Sequence, residues 1–93
     1  MQDIRTYTRD AKGNPTGIVI ATRSTRPDMK YVIGWSKTNT KVDKFDKAKA
    51  LQIAIYRLKG AEDKQVPYLT HKMPHQIRRV IDRFNDRCVR YFK

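Results

Sequence analysis

Four arginines near the end of the chain, Arg79, Arg83, Arg87 and Arg90, recur at spacings of four, four and three. On a helix turning about 100° per residue, that spacing gathers them into an arc of roughly 80°. A guanidinium is a planar fork of donors that matches phosphate oxygens, so such a row can follow a phosphate backbone. Asp82 and Asp86 stand at the right spacing to pair with Arg78 and Arg90, and that pairing would turn the row into an ordinary solvated face. A second group, Lys37, Lys41, Lys44, Lys47 and Lys49, is interleaved with Thr38, Asn39 and Thr40. It can offer point charges and hydroxyls to phosphates, or serve as a solubilising loop.

A third group depends on strand register. If Ile18, Ile20, Ile33 and Trp35 point to the core, then Val19, Ala21 and Arg23 face outward with Lys30, Val32 and Ser36, and Arg5, Tyr7 and Arg9 join them from an earlier strand. Tyr7 among Arg5, Arg9, Arg23 and Lys30 makes a basic surface holding one aromatic, suited to groove contacts or base stacking. A slip of one residue would invert it.

Other chemistries find little purchase. His71 and His75 are four apart, but Pro74 lies between them and Cys88 is the one further soft ligand, so no metal is expected. Glu62-Asp63 reads as a loop and Asp82 with Asp86 as ion-pair partners, not as an acid and a base. Gly13, Gly17, Gly34 and Gly60 form no phosphate loop. Ser24 and Ser36 have no histidine close in sequence. The expectation is a protein that is not an enzyme and uses no cofactor.

Charge narrows the class of partner to something anionic. Among 93 residues, 21 Lys and Arg face 9 Asp and Glu, an excess of +12. Residues 1–46 hold nine basic against five acidic side chains, and residues 47–93 hold twelve against four. So large an excess draws polyanions from a distance. Cys88 is the single cysteine, so no intrachain disulfide can form and a reducing cytoplasm suits the chain. Met1 to Arg5 lacks the apolar core of a secretory signal, and no stretch reaches the roughly 20 apolar residues of a membrane span. Secretion by that route and membrane insertion are not expected.

These residues need a scaffold. Strands are predicted at about 4–8, 17–25 and 29–36, with Arg9 to Gly17 as a turn in which Pro15 interrupts the ladder. Asp43 is expected to cap a helix over about 44–59, reinforced by Asp46, with Phe45, Ala48, Leu51, Ile55 and Leu58 as its apolar stripe and Gly60 as its stop. Pro74 opens a last helix over about 74–92, on which Ile77, Val80, Ile81, Phe84, Cys88, Tyr91 and Phe92 repeat at helical spacing. The order β-β-β-α-α predicts one α+β domain, 1–93, with a three-stranded antiparallel sheet carrying both helices on one face and leaving the other open. A domain this small gains stability cheaply by pairing, so a homodimer fits it.

The runs 44–58, KFDKAKALQIAIYRL, and 81–93, IDRFNDRCVRYFK, resemble small uncharacterised basic bacteriophage proteins in which a lysine-rich helix follows a strand and an arginine-rich helix ends the chain. The resemblance implies a product made in the cytoplasm of an infected bacterium, where small basic proteins bind DNA or RNA, block a host enzyme or counter a defence system. The leading expectation is a non-catalytic nucleic-acid-binding protein contacting phosphates through Arg79, Arg83, Arg87 and Arg90, with Lys44, Lys47, Arg5, Arg23 and Tyr7. Two alternatives stand beside it. One is an inhibitor that docks on an acidic host or defence protein, with Ile53 and Tyr56 off the main stripe as anchors, and the other is a trap for a small anionic nucleotide.

Overall fold

A computed structural model describes residues 3–92; Met1 and Gln2, in the stretch read above for a signal, and Lys93, which ends the phage-like run, lie outside the described residues. Three strands, β1 (Asp3–Arg9), β2 (Pro15–Arg23) and β3 (Tyr31–Lys37), form an antiparallel meander in the order β1-β2-β3. Two helices follow, α1 (Lys47–Asp63) and α2 (His75–Tyr91). The chain is thus α+β, as its periodicities predict.

The first turn is built by Asp10. Its carboxylate accepts from the backbone N–H groups of Lys12 and Asn14, both at 2.9 Å, while Gly13 takes φ +84° where a side chain would be strained. Pro15 does not interrupt the ladder as expected but opens β2, a position where its missing N–H removes no ladder bond. The register shifts between Thr8 and Arg9, so that Arg9 sits opposite Pro15.

The expectation of two helices on one face is overturned. Thr16 to Thr22 are all buried in β2, and a strand apolar on both sides must be covered on both. Ile18 and Ile20, with Val32 of β3, pack against Ala50, Ala54, Leu58 and Ala61 of α1. Val19 and Ala21, with Ile33 and Trp35, pack on the opposite face against Ile77, Ile81, Phe84 and Cys88 of α2. Pairing of Ile20 with Gly34 and of Val19 with Trp35 fixes this sorting. The predicted grouping of Ile18 and Ile20 with Ile33 and Trp35 therefore mixed two faces, and no open sheet face remains.

Alanines let α1 come close. A Cβ on Gly34 would run into the Ala54 carbonyl oxygen and lie 2.7 Å from the Leu58 Cβ. The buried stripe is Ala50, Ala54, Leu58 and Ala61, with Ala48 exposed and Ile55 half-buried. Asp46, not Asp43, is the N-cap, its carboxylate accepting from Lys49 N–H at 3.2 Å. The helix passes through Gly60 and ends where Gln65 adopts φ 60°, with Gln65 N–H donating to Glu62 C=O and Val66 N–H to Ala61 C=O. Those two bonds are the paired closure of a Schellman cap, made here without glycine.

The segment between the helices crosses from one face to the other around β3. Ile33 N–H donates to the Pro67 carbonyl and the Trp35 indole N–H to the Leu69 carbonyl, both at 2.8 Å. Arg57 reaches over from α1, donating to the Trp35 carbonyl at 3.0 Å with its guanidinium carbon 4.0 Å from the ring centroid. Burial pulls that guanidinium below its ordinary value, although the indole face stabilises the cation. The outer edge of β3 is thereby covered, while β1 is the other edge of the sheet.

Candidate nucleic-acid interface

The apolar spacing of α2 decides where its arginines go. With Ile77, Ile81, Phe84 and Cys88 turned to the sheet, one flank of the helix is fixed toward β3 by the Tyr31 hydroxyl, which donates to the Asn85 side-chain oxygen. At about 100° per residue the opposite flank carries Arg79, Arg83 and Arg87, and it faces β1. These three arginines, with Val80 and Phe84 of α2 and Thr6 and Tyr7 of β1, line a trough between the helix and the edge strand. The trough continues toward the first turn over Thr8, Arg9 and Gln76.

The guanidinium groups in this trough are available. Arg79, Arg83, Arg87 and Arg90 are exposed, and the single ion pair among the described residues is Arg5 with Asp3 at 3.1 Å. Asp82 and Asp86 thus make no ion pair with Arg78 or Arg90. By the same wheel the two carboxylates lie on the outer and β3-facing side of α2, so α2 is sorted into a cationic flank and a mixed one. Arg90 extends the exposed row toward the C-terminal end of the helix.

Cations also stand on the other side of β1. Tyr7 pairs with Ile18 on the α1 face. Its ring lies 5.9 Å from the Lys47 Nζ and 5.8 Å from the Arg9 guanidinium carbon. Arg9 is held in place by donating to the Gly13 carbonyl at 2.9 Å. The edge strand is therefore bracketed, with Arg79, Arg83 and Arg87 on one side and Lys47 on the other, and Arg9 at its end meets both.

Of the residues singled out from sequence, Arg79, Arg83, Arg87, Lys47 and Tyr7 come together along β1. Arg5 and Arg23 do not share the surface predicted for them, because Arg5 sits opposite Ile20 on the α1 face while Arg23 follows Ala21 on the α2 face. Arg5 is tied to Asp3, whose hydrogen bond and charge raise the guanidinium above its ordinary value. Arg23 lies over the Phe92 ring at 5.7 Å. Lys44 stands apart, in a hollow at the start of α1 that also holds Lys37, Lys49, Asp43 and Asp46, where carboxylates offset the lysines. Arg9 was legible as an outward neighbour of Tyr7; Gln76, one helical step before Arg79, carried no charge to flag it.

Among the described residues no group of three His, Cys, Asp or Glu converges, and no helix is long and apolar enough to cross a membrane. Comparison with protein-family models, with curated proteins and with solved structures finds no match.

Proposed function

We propose that this chain is a non-catalytic nucleic-acid-binding protein that grips phosphates along the trough between α2 and β1. The observation that carries the reading is the convergence of Arg79, Arg83 and Arg87 on one flank, exposed and without carboxylate partners among the described residues, beside Arg9. With an excess of +12 over the whole chain and these guanidinium groups gathered in one trough, binding releases counterions from a nucleic acid. The setting, on the likeness to small phage proteins, is the cytoplasm of an infected bacterium.

Fluorescence anisotropy with labelled oligonucleotides across a salt series tests it. With about five phosphates engaged, log K falls against log salt with a slope on the order of −3 to −5. Arg83→Ala reduces the magnitude of that slope by roughly 1 and weakens binding to all sequences alike. A flat salt response, or a triple Arg79/Arg83/Arg87→Glu variant that binds as the wild type does, overturns the reading.

A second reading, docking on an acidic host protein, has Tyr56 in its favour: it is 79% exposed on α1, with Ile53 at 36% nearby on the same helix. A stoichiometric protein retained from nuclease-treated lysate and lost with Tyr56→Ser would replace phosphate binding as the primary activity.

A further inference from the structure

We infer that the trough takes a single strand of nucleic acid, laid along the edge of β1 with its phosphates on the α2 flank and a base on Tyr7, and excludes the duplex. The inference rests on the phosphate-binding reading and adds which form of the polymer is bound. Three observations carry it.

The first is the sorting of charge around α2. Arg79, Arg83 and Arg87 line the trough, whereas Asp82 and Asp86 are exposed and belong to the outer and β3-facing side of the helix. A duplex broad enough to accept α2 in its major groove would wrap that outer side and bring phosphates against both carboxylates. A narrow strand lying in the trough meets only the cationic flank. Successive arginines four residues apart are about 6 Å apart along the axis, which makes a one-dimensional track.

The second is the placement of an aromatic across the edge from the arginines. The half-buried Tyr7 ring belongs to the α1 face of β1, at the margin of the α1-side core, with Lys47 and Arg9 over it at 5.9 and 5.8 Å. A base can reach it only when it is free of its own stack, which is the single-stranded condition. Lys47 and Arg9, already drawn to the ring, add cation–π contacts to a base there while its phosphates stay on the α2 flank.

The third is β1 itself. As a sheet edge with neither helix nor connector bonded along it in the described residues, it presents unpaired main-chain N–H and C=O groups between the arginines and the tyrosine. Base edges are hydrogen-bonding partners for such groups only when Watson–Crick pairing does not occupy them. The alternative occupant of a bare strand edge is an extended acidic peptide. It would use the arginines and the main chain but has no need of the aromatic, and the Tyr7 ring decides against it.

The test measures oligothymidylate, a mixed-sequence duplex of equal length and an oligoglutamate peptide by anisotropy at one salt concentration. The expected result is binding of oligothymidylate at least about tenfold tighter than the duplex, weakened about fivefold or more by Tyr7→Leu and restored by Tyr7→Phe. Asp82→Asn with Asp86→Asn is expected to strengthen duplex binding more than single-strand binding, because it removes the repulsion only the duplex meets. Duplex binding equal to or tighter than oligothymidylate overturns the inference and leaves phosphate binding intact. Failure of both nucleic acids to bind overturns the parent reading, and oligoglutamate binding tighter than oligothymidylate assigns the edge to a peptide strand instead.

Discussion

Glu62 fastens the β2–β3 loop to the end of α1: one carboxylate oxygen accepts from the Ser24 hydroxyl at 2.6 Å and from the Thr25 backbone N–H at 2.7 Å, with the Thr25 hydroxyl at 3.1 Å. Arg26 adds a bond to the Glu62 carbonyl at 2.6 Å. The Ser24 and Thr25 bonds hold the carboxyl below its ordinary 4.5. Because the folded value is depressed, this contribution is complete above 4.5 and is lost as pH falls through the folded value. Urea midpoints measured from pH 6 down to pH 2 are expected to decline in the wild type and to be flatter in Glu62→Gln. At the alkaline end Cys88 acts in the opposite sense, since burial pushes its thiol from 9.0 up to about 11. Stability accordingly falls as pH rises between those values, when the unfolded thiol ionises and the folded one cannot. Cys88 was readable as a plain core residue from its place on the apolar face of α2, whereas nothing in the spacing of Ser24, Thr25 and Glu62 announced their union across 37 or 38 positions.

At the scale of elements, the contact between α1 and β3 is the tightest constraint on the fold. Gly34→Ala drives a methyl into the Ala54 carbonyl and the Leu58 Cβ, backbone that cannot yield without moving the helix. A loss of roughly 3 kcal/mol or more is expected, read as a lowered denaturation midpoint with unchanged slope. The cap of the same helix offers a gain. Gln65 holds φ 60°, so Gln65→Gly relieves the left-handed cost and should raise stability by about 0.5–1 kcal/mol despite glycine's greater unfolded entropy. Both helices were legible from their 3.6-residue periods, α2 nearly to its ends, because its bulky residues make the apolar stripe unambiguous. The stripe of α1 was read in part: Phe45, Leu51 and Leu58 do pack on the α1-side core, but Ala48 is exposed and Ala50, Ala54 and Ala61 were missed, since a helix lying against a glycine buries its alanines, and alanine carries little hydropathic signal. The sheet was legible as a meander, but its burial on both faces was missed, although Ile18 to Ala21 form an unbroken apolar run of the sort that only a doubly covered strand can hide.

For the molecule as a whole, an excess of +12 charges in a 93-residue chain is a source of self-repulsion that a bound polyanion removes. Oligonucleotide at about 100 times its dissociation constant should stabilise the fold by about 2.7 kcal/mol, which for a domain of this size is roughly 10–20 °C in melting temperature. Arg79/Arg83/Arg87→Glu is expected to melt no lower than the wild type without ligand and to show no such rise, as differential scanning calorimetry with and without oligonucleotide would record. That the molecule is cationic could be read from its residue counts. That its cations bracket one strand could not, because the bracket arises only when the segment after α1 carries the last helix around β3 to the far face, and no local pattern encodes such a crossing. The same crossing has a further consequence for self-assembly. With Pro67, Leu69 and Arg57 occupying polar groups of β3, the sheet keeps one vacant side for ribbon-like pairing. Any copy that adds there consumes it, so strand-to-strand growth closes at a twofold pair and has no means of propagating into a fibril.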